Sequence, residues 1–210
     1  MKIQDIEEKV FLELGKEDKF VEYHNIIYKL IGVVVDFVNI EGKAMNILPM
    51  EHLNKYCAAL HRSPNNPCQC YTNKFLTEAR NLQHVLLYRC YAGLTDLILP
   101  LYDKEKKYIG ALTAGQFLIE GEEPCSEEFI RNLGRRENVE TGENSLYELY
   151  TGSPVLNRRQ IEGLIDFLRN IGEMILDARS KILFWEQGNA EERIQLIRDY
   201  IHQQYMKNLS

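Results

Sequence analysis

Leu97-Ile98-Leu99-Pro100-Leu101-Tyr102, Asp103-Lys104-Glu105-Lys106-Lys107 and Tyr108-Ile109-Gly110-Ala111-Leu112-Thr113-Ala114-Gly115-Gln116-Phe117-Leu118-Ile119 form the stretch whose reading decides the fold. Two short apolar runs joined by a charged, polar connection read as a pair of antiparallel strands. Working outward, Val85 to Arg89 is strand-like, and Tyr88-Arg89-Cys90-Tyr91-Ala92-Gly93-Leu94-Thr95-Asp96 is a strand that breaks at a glycine turn and resumes. Further upstream, the β-branched run Val33 to Ile40 turns at Glu41-Gly42-Lys43 into a weaker strand near Met45 to Leu48, a hairpin that starts the sheet.

Helical patterns flank these strands. Ile3, Ile6, Val10 and Phe11, and then Phe20, Ile27, Leu30 and Ile31, recur at helical spacing, so the chain opens with two helices, the second closed by Gly32. Met50 to Leu60 and Lys74 to Leu82 read as helices separated by the Pro- and Asn-containing loop His61 to Pro67. Glu127 to Asn138 is another helix, followed by a polar surface loop over Glu140 to Ser145. Strands adjacent in sequence with helices between them predict an α+β fold: an antiparallel sheet with helices packed on its face.

After Pro154 the pattern changes. Ile161, Leu164, Leu168, Ile171, Ile175, Ala178, Ile182 and Trp185 step by threes and fours, an a/d seam sustained over more than three heptads. A helix of that length runs roughly 45 Å, and the seam predicts a homodimer coil; the alternative is a core helix lying across the sheet. Gly188 ends it, and Asn189 with Glu192 makes a capping-box-like start for a last helix carrying Ile194, Ile197 and Ile201. The organisation expected is a helix over 1–16, an α+β domain over 17–153, a long helix over 154–187 and the start of another domain over 188–210.

Composition narrows the function. The 210 residues are 45% apolar and 27% charged, an ordinary globular balance, and the net charge of −6 lacks the positive field that nucleic-acid binding needs. No leader-like apolar segment opens the chain, and Ile26 to Val38, interrupted by Lys29 and Asp36, is too short to cross a membrane. A cytoplasmic protein is expected. Walker, nucleophile-elbow, zincin and dinucleotide-binding signatures are all missing from the sequence, so no enzyme is expected; the residual catalytic option is Cys90 as a nucleophile beside a histidine such as His61.

Three constellations carry chemistry. Cys57, Cys68, Cys70 and Cys90 cluster in a chain of five cysteines, spaced unlike paired C-x-x-C knuckles. They are read as small thiols lining a core or pocket, as ligands for zinc or an iron–sulfur cluster, or as a redox pair. Asp96 either hydrogen-bonds a ligand hydroxyl or caps the glycine turn. Gln116, a neutral amide among apolar side chains beside Gly115, either orients an uncharged polar ligand or is satisfied by backbone on an edge strand.

These residues also carry a resemblance. Cys57, Cys70 heading a helix, Tyr88 through Asp96, Pro100, and Gly110 followed by Gly115-Gln116 resemble the PocR-type sensory domain, over roughly residues 17 to 180. Tyr91 stands where the family motif more often has histidine, and Cys68 is an extra thiol. The tail Ile194 to Tyr205 looks like the opening helix of an AraC-type helix-turn-helix domain that stops before completion. The resemblance implies a PAS/GAF-like antiparallel sheet with flanking helices and a long C-terminal helix. It also implies a pocket for a small hydrocarbon derivative (a diol, alcohol or aldehyde), with Cys57, Cys70, Tyr88, Cys90, Asp96 and Gln116 as ligand-facing residues. No cofactor is expected. DNA would be reached only through a domain absent from this chain.

Overall fold

The computed structural model describes residues 18–43, 50–61, 67–140, 142, 144–187, 194 and 198. Helix α1 (Asp18–Ile31) turns Tyr23, Ile27 and Ile31 toward the core and stops at Gly32, whose N–H bonds the Tyr28 carbonyl at 2.8 Å. Strand β1 (Val34–Val38) leads to a turn in which the Asn39 side chain accepts the amides of Glu41 and Lys43. After a short 3-10 turn (Met50–His52) come helices α2 (Lys55–His61) and α3 (Cys68–Leu82), then β2 (Leu86–Arg89), β3 (Thr95–Tyr102) and β4 (Tyr108–Ile119). Helices α4 (Glu127–Arg136) and α5 (Leu146–Thr151), the two-residue β5 (Val155–Leu156) and the long α6 (Arg158–Gln187) complete the described fold.

The strands form an antiparallel sheet in the order β1-β4-β3-β2, with β5 added in parallel to the end of β4. This is the α+β, PAS/GAF-like arrangement expected, and the β3–β4 pair lies where the opening stretch puts it. Asp103 explains the tight connection, since its carboxylate accepts the amides of Glu105 and Lys107. Three differences have local causes. Helix α3 begins at Cys68 rather than Lys74, because its first turns are polar and solvent-facing and leave no apolar period to read. Helix α5, short but held by a Ser145–Glu148 capping box, and β5, two residues long, are both below the length at which periodicity shows. The first expected helix, the strand near Met45 to Leu48 and the last helix lie outside the described residues, apart from Ile194 and Arg198, which are helical and exposed.

The two faces of the sheet carry different cores. On one, α1 and α6 cover Val35, Phe37, Leu97, Leu101, Ile109, Leu112, Ala114 and Phe117. The α6 seam is part of this core: Ile161, Leu164, Leu168, Ile171 and Ile175 are all buried against it. At about 1.5–3 kcal/mol each, that row contributes on the order of 10 kcal/mol of transfer free energy within one chain. The expected use of Ile161, Leu164, Leu168, Ile171 and Ile175 as a dimer seam is thereby corrected: the sheet already occupies them. Ala178 is half-buried, and the Ile182 side chain lies outside the described residues. Arg179, also buried, pairs with Asp103 in the β3–β4 turn at 3.5 Å, fixing α6 to the far end of the sheet.

On the same side, α1 is tied to β1 by a buried histidine. The Val35 N–H donates to His24 Nδ1 at 3.4 Å, and His24 Nε2 lies 3.1 Å from His52 Nδ1. The His52 ring stacks on Tyr28. Burial, reinforced by His52, holds His24 down to about 4, so it is neutral. Among the described residues no helix is long and apolar enough to cross a membrane.

Candidate functional site

The opposite face of the sheet, toward α3, carries the chemistry. Side chains alternate across a strand. Leu97 and Leu101 belong to the α6-side core, so Asp96 and Ile98 point to the other face, where Ile98 packs with Leu76 and Ala79 of α3 and with Tyr88. Pairing then sets a polar row across the sheet. Tyr88 lies opposite Asp96, Asp96 opposite Gly115 and Gly115 opposite Val34; one rung along, Ile98, Thr113 and Asp36 are in line. Asp36, Asp96 and Thr113 are half-buried, unlike the closed apolar core behind them.

Asp96 is the centre of the row. A Cβ on Gly115 would stand 1.8 Å from Asp96 Oδ1, so the carboxyl lies in the space that only glycine leaves. Oδ1 accepts the Gln116 N–H at 3.1 Å, and the Tyr88 hydroxyl bonds the same carboxyl. Burial pushes the group up to about 7 against the pull of those two bonds. Tyr88 stacks on Phe75 of α3 with ring centroids 4.0 Å apart and also bonds Thr72, which reaches Cys68 as well.

Three thiols share this electrostatic neighbourhood. Cys57 is placed by Asn54, whose Oδ1 accepts the amides of Tyr56 and Cys57 and so caps α2. Cys68 opens α3. Cys90 follows β2 in a tight turn, with its N–H on the Leu94 carbonyl at 2.7 Å and its own carbonyl taking the Gly93 N–H. Gly93, at φ +89°, is required there: a Cβ would meet Cys125 Sγ at 2.5 Å. Burial first, and the charge of Asp96 second, push all three thiols up, Cys90 to about 12. They are protonated at neutral pH, which makes them weak nucleophiles.

Of the expected site residues, the structure brings Cys57, Cys68, Tyr88, Cys90 and Asp96 into one neighbourhood. Cys70 is exposed on α3. Among the described residues, no group of three or more His, Cys, Asp and Glu side chains is arranged to hold a metal ion. Gln116 lies beside the carboxyl through its backbone, while its side-chain Oε1 accepts the Asn54 N–H at 3.1 Å. Its strand is central rather than at an edge. Asp36, Asn54, Thr72 and Thr113 were not anticipated. A charge inside the apolar run Val33 to Val38 was a signal for Asp36, and a cap-type residue before Lys55 was one for Asn54; Thr72 and Thr113 carry no signal without the fold.

The site can offer a carboxyl able to donate or accept near neutral pH, a phenol and three neutral thiols against an apolar floor. Those groups suit an uncharged polar molecule, with few directing hydrogen bonds among apolar walls. No curated protein and no solved structure matches the chain. The family model described as the sensory domain found in PocR matches residues 14–180, a span that takes in the whole sheet, α3 and most of α6. The chain therefore belongs to the family of sensory domains found in PocR.

Proposed function

We propose that this domain binds a small uncharged hydrocarbon derivative, a diol, alcohol or aldehyde, on the α3-facing side of the sheet, and does so without turnover or cofactor. The observation that carries the reading is the Asp96 carboxyl, lodged over Gly115 at the centre of a half-buried polar row with its pKa raised to about 7. A group so desolvated disfavours a second negative charge beside it and accepts hydroxyl donors. The bound state is relayed through α6 to an AraC-type DNA-binding domain in the cytoplasm. The resemblance of Ile194 to Tyr205 to the opening helix of such a domain supports this, as does the helical state of Ile194 and Arg198.

Isothermal titration calorimetry on the 210-residue chain tests the binding step, using ethylene glycol, propanol and propanal with propionate as the anionic control. Binding of at least one neutral probe, weakened tenfold or more by Tyr88→Phe, is expected. Binding of propionate alone, or of none of the four, overturns the reading.

A further inference from the structure

Strand β4 is irregular where it passes Asp96. Thr95 pairs with Phe117 and Asp96 with Gly115, so Gln116 is an extra residue with no partner in β3. It sits at φ +73°, a left-handed conformation that side chains other than glycine rarely adopt. Three groups hold it there. Asp96 Oδ1 takes its N–H at 3.1 Å; Asn54 donates its backbone N–H to the Gln116 side chain at 3.1 Å and its Nδ2 to the Gln116 carbonyl at 3.2 Å.

The same Asn54 amide nitrogen donates to Ser153 Oγ at 3.0 Å. Ser153 immediately precedes the segment that enters α6. There Leu118 N–H bonds the Pro154 carbonyl at 2.7 Å, Glu120 N–H bonds the Leu156 carbonyl at 2.9 Å, and Asn157 caps the helix by exchanging bonds with Gln160. A continuous hydrogen-bonded path thus runs from the carboxyl at the candidate site to the start of the long helix, and its one strained member lies in the middle. Strain held by several partners is where a local change can tip a backbone between two arrangements.

We propose that Gln116 is the coupling residue of this domain: it transmits the engagement of the Asp96 carboxyl, through Asn54 and Ser153, to the β5 segment that starts α6. A ligand hydroxyl that takes over Asp96 Oδ1 withdraws the acceptor from the Gln116 N–H. The bulge then relaxes, its grip on Asn54 changes, and the β4–β5 pairing ahead of α6 loosens. This deepens the proposed function and rests on Asp96 being where the ligand binds; Gln116 acts through other groups and is a positioning residue.

Amide hydrogen exchange on the 210-residue chain tests the path without any ligand. Asp96→Ala removes the acceptor. The amides of Leu118 and Glu120 are expected to exchange at least tenfold faster than in the parent chain, with less than twofold change around Ile98 and Thr113 in the β3–β4 ladder. Gln116→Gly keeps the bulge and its backbone bonds, but it deletes the link to the Asn54 N–H and relieves the strain at φ +73°, so the bulge no longer holds anything for the loss of Asp96 to release. In that background Asp96→Ala is expected to change Leu118 and Glu120 by less than twofold. Equal acceleration in both backgrounds, or acceleration no greater than at Ile98 and Thr113, overturns the proposal.

Should Asp96→Ala not fold, Ser153→Ala enters the cycle from the other end. It is expected to speed exchange of the residue 116 amide when the glutamine side chain is present and not in Gln116→Gly; acceleration in both, or in neither, again overturns the coupling. Binding is read separately by calorimetry, so a chain that binds no probe but shows the coupling, or binds and shows none, separates the two claims.

Discussion

Asp96→Asn tests the energetics of the site directly. Asparagine keeps an Oδ1 to accept the Gln116 N–H and has the shape of the protonated carboxyl, but it cannot ionise. The carboxyl of Asp96 rises from 3.8 in the unfolded reference to about 7 in the fold, chiefly by burial. Because the folded value is the higher one, the native state holds a proton that the unfolded chain has released. The penalty is absent below the unfolded value, grows through the window from pH 4 to pH 7 and is complete above it. At about 1.4 kcal/mol per pH unit the whole window amounts to about 4 kcal/mol. Between pH 5 and pH 8 the share is about 2.5 kcal/mol, since part of the penalty is already present at pH 5. Urea unfolding of both proteins at those two pH values is the assay. Asp96→Asn should gain about 2.5 kcal/mol on the parent chain in going from pH 5 to pH 8. The difference between the two proteins cancels His24 and every other shared titration. A gap that stays constant across the two pH values would refute the assignment of a desolvated carboxyl at this position.

Other outcomes follow from the same contacts. Gly115→Ala forces a Cβ to within 1.8 Å of Asp96 Oδ1; thermal or urea melts should show a loss of about 2–4 kcal/mol, and a neutral result would mean the carboxyl is not lodged there. Leu168→Ala should cost about 2–5 kcal/mol in unfolding free energy, with the molar mass measured by light scattering unchanged; dissociation of an oligomer at unaltered stability would restore the seam as an intersubunit contact. His24, held at about 4 against 6.5, contributes stability that is complete above pH 6.5 and is lost as the pH falls through 4, by at most about 3 kcal/mol. His24→Gln should flatten that acid limb in stability-against-pH curves, and an unchanged limb would count against it. Gly93→Ala, at φ +89° and 2.5 Å from Cys125 Sγ, should cost about 2–3 kcal/mol, seen as a lowered midpoint in thermal unfolding.

How far the sequence discloses this architecture depends on whether a residue's role is local. The charged Asp103 to Lys107 turn, the apolar runs around it and the seam from Ile161 to Ile175 are written in periodicity, and each is found where the pattern puts it. The seam's partner is not: a three-four repeat says which face is apolar and is silent on whether a sheet or a second helix covers it. Asp96, Tyr88, Cys57 and Cys90 stood out as polar or soft groups beside apolar strands, and long-range pairing brings them together. Gln116 shows the limit. A glutamine in an apolar run reads equally as a ligand contact or as a satisfied amide, and only the extra residue in β4 and the approach of Asn54, 62 positions away, decide what its side chain does. Thr72 and Thr113 are ordinary residues until α3 is laid over the sheet.

The bulge at Gln116 also divides β4 into two registers. Leu112 and Ala114 face the α6-side core, and by strict alternation the next inward position is 116; the inserted residue hands it to Phe117, which is fully buried there. Deleting one residue at this point would therefore shift the phase of everything after it, sending Phe117, Leu118 and Ile119 each to the wrong side. The insertion insulates as well. Ala111 and Thr113, whose side chains face the α3 side of the sheet, can be exchanged without disturbing the alternation that seats Phe117 and Ile119 in the core beneath the long helix. A fold with this arrangement can diversify the molecule it recognises while keeping its output geometry constant.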